Sequence, residues 1–137
     1  MKKLTIEQLA IYLPYELECQ TKHNISILSD LTTSNIYECA SFVDKSGEFD
    51  GENGMIHLED FKPLLLPLSL YADINSKEMN DLNCGSYFKR EINSLANSHI
   101  IYVECHYYTI KIMARNHIDF QDLIGQGLAI DKRTVGE

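Results

Sequence analysis

Alternation of hydrophobic and polar residues dominates the first half of the chain. It is clearest over residues 16–22, where Leu17, Cys19 and Thr21 alternate with charged or amide side chains. A period of two residues is typical of a strand with one buried face. Two further segments, 25–31 and 36–43, are rich in β-branched or aromatic residues, and residues 55–58 form a short apolar alternation. We therefore predict about four antiparallel strands in the N-terminal half, at residues 16–22, 25–31, 36–43 and 55–58.

A period near 3.6 residues replaces this alternation in the second half. Between Phe88 and Leu95, apolar residues recur at i, i+4 and i+7 with charged residues between them, which predicts an amphipathic helix over residues 86–98. A similar stripe predicts a second helix over residues 103–116. The segment 100–103 also fits the start of a strand, so both alternatives stay open there.

Two shorter helices are predicted near the ends of the chain. Thr5 followed by Gln8 has the spacing of a capping box, so a first helix should begin there. Pro14 should end it, because the residue before a proline disfavours helical geometry. Residues 119–124 fit one more turn of helix, and the glycines that follow fit a helix stop.

A leucine-rich segment over residues 64–71 carries six apolar side chains in eight residues. Pro63 and Pro67 interrupt regular structure, so we predict a buried irregular crossover. Two interpretations of these apolar side chains stay open. The segment is either wedged into the core of a small domain or exposed in part and self-associating. In the second case, Leu66 and Leu70 form the interface of a homo-oligomer.

The overall composition fits one globular domain over residues 1–137, since 45% of the residues are hydrophobic and 23% are charged. The expected fold class is α+β, with the antiparallel sheet packed against the C-terminal helices. The basic start of the chain leads into no apolar stretch of signal-peptide type, and the most apolar windows are too short or too charged to cross a membrane. We therefore expect a cytoplasmic protein without a membrane partner.

The charge balance restricts the class of partner. Twelve Lys and Arg residues against twenty Asp and Glu residues give a formal net charge of −8. Such a chain repels the phosphate backbone of DNA and RNA, which disfavours generic nucleic-acid binding. A few basic side chains and backbone N–H groups are enough to hold a small anion in an acidic protein, so a nucleotide ligand stays open.

Motifs for catalysis, metal binding or cofactor binding are lacking. The four cysteines have no Cys-x-x-Cys spacing, and the neighbours Cys105 and His106 diverge by about 100° on a helix. The acidic, glycine-rich loop at residues 44–54 fails the EF-hand pattern, because Phe49 and Met55 stand where glycine and glutamate are required. Nucleophile elbows and phosphate loops are also missing. We therefore predict reduced thiols, no metal, no cofactor and no catalytic residue.

A small group of aromatic and basic residues is the best candidate for ligand binding. Tyr107 and Tyr108 are suited to stacking on a base, and basic side chains nearby are suited to meeting a phosphate. Core packing of the tyrosines is the alternative. The basic candidates lie on the two best-predicted helices and are Lys89, Arg90, Lys111 and Arg115.

Three segments resemble a family of short, uncharacterised open reading frames of Bacteroides-group bacteria, their prophages and phages. They are LTIEQLAIYLPYELE, IHLEDFKPLLLPLS and NHIDFQDLIGQGLAIDKRTV. The family form has a basic residue where Leu66 stands here, and no catalytic residue is carried over from it. The resemblance implies a cytoplasmic accessory protein of phage or prophage origin, and such proteins often act on host defence.

These observations lead to a functional hypothesis and two alternatives. We expect a binding protein that counteracts host defence by engaging a host protein or by sequestering a small anionic signalling nucleotide. The alternatives are an enzyme acting on a small molecule and a structural or assembly protein. A sequestering protein leaves its ligand intact, an enzyme returns a product, and an assembly factor binds neither.

Overall fold

Seven β-strands and four α-helices form the regular structure of the residues that the computed structural model describes, which are 3–33, 38–44, 46–48 and 55–135. The strands are β1 (Glu18–Gln20), β2 (Ile25–Thr33), β3 (Glu38–Val43), β4 (Ile56–His57), β5 (Lys62–Pro67), β6 (Ile118–Asp119) and β7 (Ile130–Asp131). The helices are α1 (Ile6–Ala10), α2 (Lys77–Asp81), α3 (Ser86–Ala96) and α4 (Tyr107–Arg115). The α+β class is therefore confirmed.

The predicted antiparallel meander is present. Strands β1 to β4 pair in sequence order, and Cys19 lies opposite Ser26 where β1 meets β2. Alternation causes this pairing, because every second residue of β1 and of the start of β2 is buried. Residues 36 and 37 of the predicted third strand, and most of the predicted loop over 44–54, lie outside the described residues.

The sheet is larger than predicted, and it is mixed. Strand β5 pairs antiparallel with β1 but parallel with β6 and β7. The prediction of an irregular crossover at residues 64–71 is therefore wrong for its first half. Pro63 and Pro67 occupy the second and the last position of β5, so the leucines between them keep the N–H groups that a strand needs. The N–H of Leu66, for example, donates to the carbonyl of His117 at 2.8 Å.

The leucine-rich segment contributes to the core. Leu64 and Leu65 are buried, and a 3-10 turn at Leu68–Tyr71 follows β5. Leu66 and Leu70, the two predicted interface residues, are half-buried, and Leu70 packs against the core. Burial of the segment favours the core interpretation. Self-association through Leu66 stays a prediction, for which sedimentation across a wide concentration range is the test.

Two predicted helices differ from the structure. Helix α4 begins at Tyr107 rather than at residue 103, because the imidazole Nδ1 of His106 accepts the N–H of Tyr108 at 3.0 Å and caps the helix there. A separate 3-10 turn at Tyr102–Glu104 precedes it. Residues 119–124 do not form a helical turn; β6 ends at Asp119, whose carboxylate accepts the N–H groups of the turns that follow.

One hydrophobic core draws on both halves of the chain. The capping box of Thr5 and Gln8 is confirmed and begins α1, which leads to the fully buried Tyr12. The Tyr12 hydroxyl donates to the carbonyl of Ile118 at 2.6 Å, and its ring lies 5.7 Å from that of Phe120. The first and last parts of the described chain are therefore held together by a buried hydrogen bond as well as by apolar contact.

His117 makes a second connection between the ends. Its Nε2 donates to the carbonyl of Tyr15 at 2.7 Å, and its Nδ1 lies 3.4 Å from Nζ of Lys132. Lys132 also pairs with Glu18 at 3.5 Å. Burial lowers the pKa of His117 and Lys132 adds to the effect, while the Tyr15 carbonyl opposes it. The neutral imidazole therefore fits this site better than the cation does.

Left-handed backbone ends several helical segments. Ser98 has a φ of 64° just after α3. Its N–H donates to the carbonyl of Leu95 at 3.1 Å, and the N–H of His99 donates to that of Ser94 at 2.8 Å. These two bonds form a Schellman motif, in which the left-handed residue is usually glycine. The positive φ of Ser98 therefore has a conformational cost that glycine would not have.

We predict that Ser98→Gly stabilises the protein by about 0.5–1 kcal/mol, because glycine adopts a positive φ without steric cost. The matched control is Ser94→Gly, the same chemical change inside α3. It should destabilise the protein by roughly 0.5 kcal/mol, since glycine is a poor helix former. Urea unfolding of both variants measures the difference, and two changes of the same sign would contradict the prediction.

We also predict that the free energy of unfolding falls as the pH drops below the ordinary His pKa of 6.5. The unfolded chain binds a proton there that the folded His117 resists, so acid favours unfolding. Urea unfolding at several pH values should show a weaker pH dependence in His117→Gln. The control is His23→Gln, an exposed histidine, and equal pH dependence in His117→Gln and wild type would refute the assignment.

Candidate binding surface

The exposed large hydrophobic side chains are concentrated on one part of the described chain. Six of the eight lie at the start of α3, in the segment 101–103 and at the start of α4. We call this group the aromatic surface, and its members are Tyr87, Ile101, Tyr102, Val103, Tyr107 and Tyr108. Val103 and Tyr107 retain 68% and 67% of their full exposure. Side chains of this kind cost hydration free energy when they are left in water, so their clustering needs an explanation.

Ring contacts hold part of this surface in place. Phe88 of α3 stacks on Tyr108 of α4, with ring centroids 5.8 Å apart and an interplanar angle of 29°. Tyr87 meets Phe88 edge-to-face at 5.3 Å, and both rings lie within 6.3 Å of the His106 imidazole. Aromatic pairs in these geometries are stabilising beyond the area they bury. The rings are therefore packed in advance on the two helices.

Glu91 joins the two helices beneath these rings. Its Oε1 accepts the N–H of His106 at 2.9 Å and also the hydroxyl of the fully buried Thr109, and its Oε2 accepts the hydroxyl of Tyr87 at 3.2 Å. This negative charge raises the pKa of Tyr87 above its ordinary value of 10. The carboxylate therefore fixes the start of α4 against α3.

Four of the six predicted ligand-binding residues share one face of α4. Tyr107, Lys111 and Arg115 follow each other at four-residue intervals, which places them on one solvent-facing stripe. Lys111 Nζ lies 5.5 Å from the ring centroids of both Tyr107 and Tyr108. The stripe is therefore a ridge in which a cation is already in contact with two aromatic rings.

Arg90 and Lys89 do not join this stripe. Arg90 is exposed and stands two positions from the inward-facing Ile92, which places it on the solvent side of α3. Lys89 and Arg115 both lower the pKa of the Cys84 thiol, although burial of that thiol has the larger, opposite effect. Lys89 and the Arg115 end of the stripe are therefore both within electrostatic range of Cys84.

The electrostatic balance of this region is opposite to that of the whole chain. Four of the twelve basic residues but two of the twenty acidic ones lie between residues 84 and 117. Both acidic groups have internal hydrogen bonds, since Glu91 holds α4 and Glu104 accepts the N–H of Ile101 at 2.9 Å. The segment that carries the aromatic surface therefore has more basic than acidic residues, on a protein with a net charge of −8.

The sequence did not reveal the exposed residues Ile101 and Val103. A run of four apolar residues, 100–103, fits a buried element, either helix or strand. In the structure, the left-handed Ser98 and the turn at Tyr102–Glu104 hold this run outside the helices. The local sequence signals of an exposed turn here are the polar residues Ser98 and His99 before the run and Glu104 after it.

Tyr102 borders a cavity of about 270 Å³. Its ring also meets that of Phe120 edge-to-face at 5.4 Å. Residues of α1, α4 and the β6 turn complete the wall of the cavity, namely Glu7, Gln8, Ile11, Ile110 and Gln121. The aromatic surface therefore combines a projecting ridge with an adjacent hollow.

The described residues offer little for metal or thiol chemistry. They hold no cluster of three or more His, Cys, Asp or Glu side chains able to bind a metal ion. The four cysteines are free thiols, and burial with help from Glu91 raises the pKa of Cys105 to about 11. A protonated thiol is a poor nucleophile. No helix in the described ranges has the length and apolarity required to cross a bilayer.

Comparisons of the chain with protein-family models, with curated proteins and with solved structures find no match. The geometry of the aromatic surface is therefore the basis on which a function is assigned.

Proposed function

We propose that this chain is a binding protein that engages an acidic patch of a partner protein through the aromatic surface. The observation that carries the proposal is the presence of six exposed hydrophobic side chains at the starts of α3 and α4 and in the segment 101–103 between these helices. Four of them are tyrosines, a residue type enriched at the centres of protein interfaces. A concentration of exposed apolar groups usually marks an interaction site.

Charge complementarity gives the chemistry of the partner. Lys111 and Arg115 border the tyrosines, while acidic residues dominate the rest of the chain. An acidic partner is therefore attracted to this face and repelled elsewhere, which orients the encounter. The preformed rings favour tight binding as well, because side chains that are already packed lose little entropy on binding.

The biological setting follows from the sequence resemblance. A phage or prophage accessory protein acts in the cytoplasm of its host, so the partner would be a host protein. Occupying a functional surface of that protein would interfere with a host process, including a defence process. Catalysis plays no part in this proposal.

Sequestration of a small signalling nucleotide is the second candidate, and the α4 stripe favours it. Tyr107 and Tyr108 present ring faces beside Lys111, with Arg115 one turn further on. A base stacked on a tyrosine would place its phosphates near these cations. The stripe is convex, however, and small-molecule sites are concave, so a protein partner fits it better.

The test of the first candidate is affinity capture from the lysate of a Bacteroides-group host with quantitative mass spectrometry. Tyr107→Glu and Val103→Glu should each weaken retention of the partner by about 30-fold or more, as expected for truncating or charging an interface hot spot. The matched control is Ile74→Glu, which charges an exposed hydrophobic residue away from this surface and should retain the partner. Retention should also fall with added salt.

Two outcomes would contradict the protein-partner proposal. One is a set of retained host proteins that is the same for wild type, Tyr107→Glu and Val103→Glu. The other is a nucleotide that co-purifies, is recovered intact after denaturation and is lost in Tyr107→Glu, which would establish the second candidate instead. Recovery of a converted product would indicate an enzyme.

A further inference from the structure

A second region of the molecule, separate from the α4 stripe, encloses a cavity of about 480 Å³. It lies where the parallel strands β5 and β6 end, at Pro67 and Asp119, and where α3 ends near Leu95 and Ser98. The carboxyl ends of parallel strands commonly leave a crevice in which ligands bind. The volume is also within the range of about 300–1,000 Å³ that is typical of small-molecule sites.

Two aspartates line this cavity without a basic partner. Asp119 is buried, and its two oxygens accept the N–H groups of Leu123 and Ile124, each at 2.8 Å. Asp122 is exposed and lines the same cavity. Neither forms an ion pair within the described chain, and no Lys, Arg or His contributes to the cavity wall.

The end of α3 adds negative potential from an independent source. Peptide dipoles give the C-terminus of a helix a partial negative charge, which a basic residue in the last turn often compensates. The last turn of this 11-residue helix has no basic residue. Leu95, Ala96 and Ser98 bring that helix end to the cavity wall. The helix and the two carboxylates therefore all favour a cation in the same space.

The remaining wall determines what kind of cation fits. It is largely apolar and includes Leu68, Phe120 and Ile124. Burial against such a wall stabilises a bound hydrocarbon group, but it does not stabilise a hydrated metal ion. An ammonium group at the carboxylates with its hydrocarbon part on these side chains satisfies both halves of the cavity.

We infer that this cavity is a binding site for a small organic amine in its protonated form. The ammonium group is held between Asp119, Asp122 and the C-terminal end of α3, and the hydrocarbon part lies against Phe120 and Ile124. None of the six residues of the aromatic surface lines this cavity. Burial and the charge of Asp122 both raise the pKa of Asp119, against the opposing effect of the two N–H groups, so a bound cation would relieve an existing repulsion.

The experiment is a titration of the full chain with 2-phenylethylamine and with 2-phenylethanol, its neutral counterpart, at pH 7.5. Calorimetry measures affinity, and backbone amide NMR locates the ligand. The amine should bind with a dissociation constant in the range of roughly 1–10 mM, as expected for a ligand of this size. It should shift the signals of Ser98, Phe120 and Ile124, and the alcohol should bind at least about 10-fold more weakly.

The matched variants are Asp122→Asn and Asp60→Asn. Asparagine tolerates the left-handed backbone of residue 122, where φ is 58°, so the first variant removes the charge and keeps the turn. It should weaken amine binding by about 3- to 10-fold. Asp60 is exposed and does not line the cavity, so its variant should bind like wild type.

Three results would overturn the inference. The first is equal binding of the alcohol and the amine. The second is unchanged amine binding in Asp122→Asn. The third is no binding of the amine up to its solubility limit, with the NMR signals of the cavity residues unshifted. The control for folding is the far-UV circular dichroism spectrum of Asp122→Asn. If it equals that of wild type, a loss of binding reflects the lost charge rather than unfolding.

Discussion

Strand β5 is the constraint on which the rest of the fold depends. Its backbone pairs with β1 at Pro63, with β7 at Leu64 and with β6 at Leu66. The N-terminal meander and the C-terminal strands therefore share one six-residue element, whose leucines also reach the core. A substitution that breaks its ladder would separate the two halves of the sheet, whereas a change in β4 would affect only an edge.

Both candidate sites depend on this arrangement, although they lie on different elements. The parallel pairing of β5 and β6 places Pro67 opposite Asp119, and both residues line the cavity of about 480 Å³. Helix α4 ends just before β6, and its exposed face carries Tyr107 and Lys111. Phe120 packs on both Tyr12 and Tyr102, so it links the core to the hollow beside the aromatic surface. Rigid elements thus support both groups of side chains.

Periodic parts of the fold could be predicted from the sequence. Alternation around Cys19 and the stripe from Phe88 to Leu95 gave the meander and α3, because one buried face repeats over several residues. Strands β6 and β7 have two residues each, too few for a period, and their pairing depends on distant partners. In the candidate site, the sequence predicted that Tyr107 and Lys111 lie on one helix, but not that they share a solvent-facing stripe. The exposure of Val103 could not be predicted, since it results from how turns position an apolar run.

The bond between the Tyr12 hydroxyl and the Ile118 carbonyl spans 106 positions of the chain. During synthesis on the ribosome, the first of these groups emerges long before the second, and β5 emerges long before Ile130 of β7. The sheet therefore cannot close while only the N-terminal half has been made. The nascent meander must wait with the leucines of β5 uncovered, a period in which chaperones or other chains have access to them.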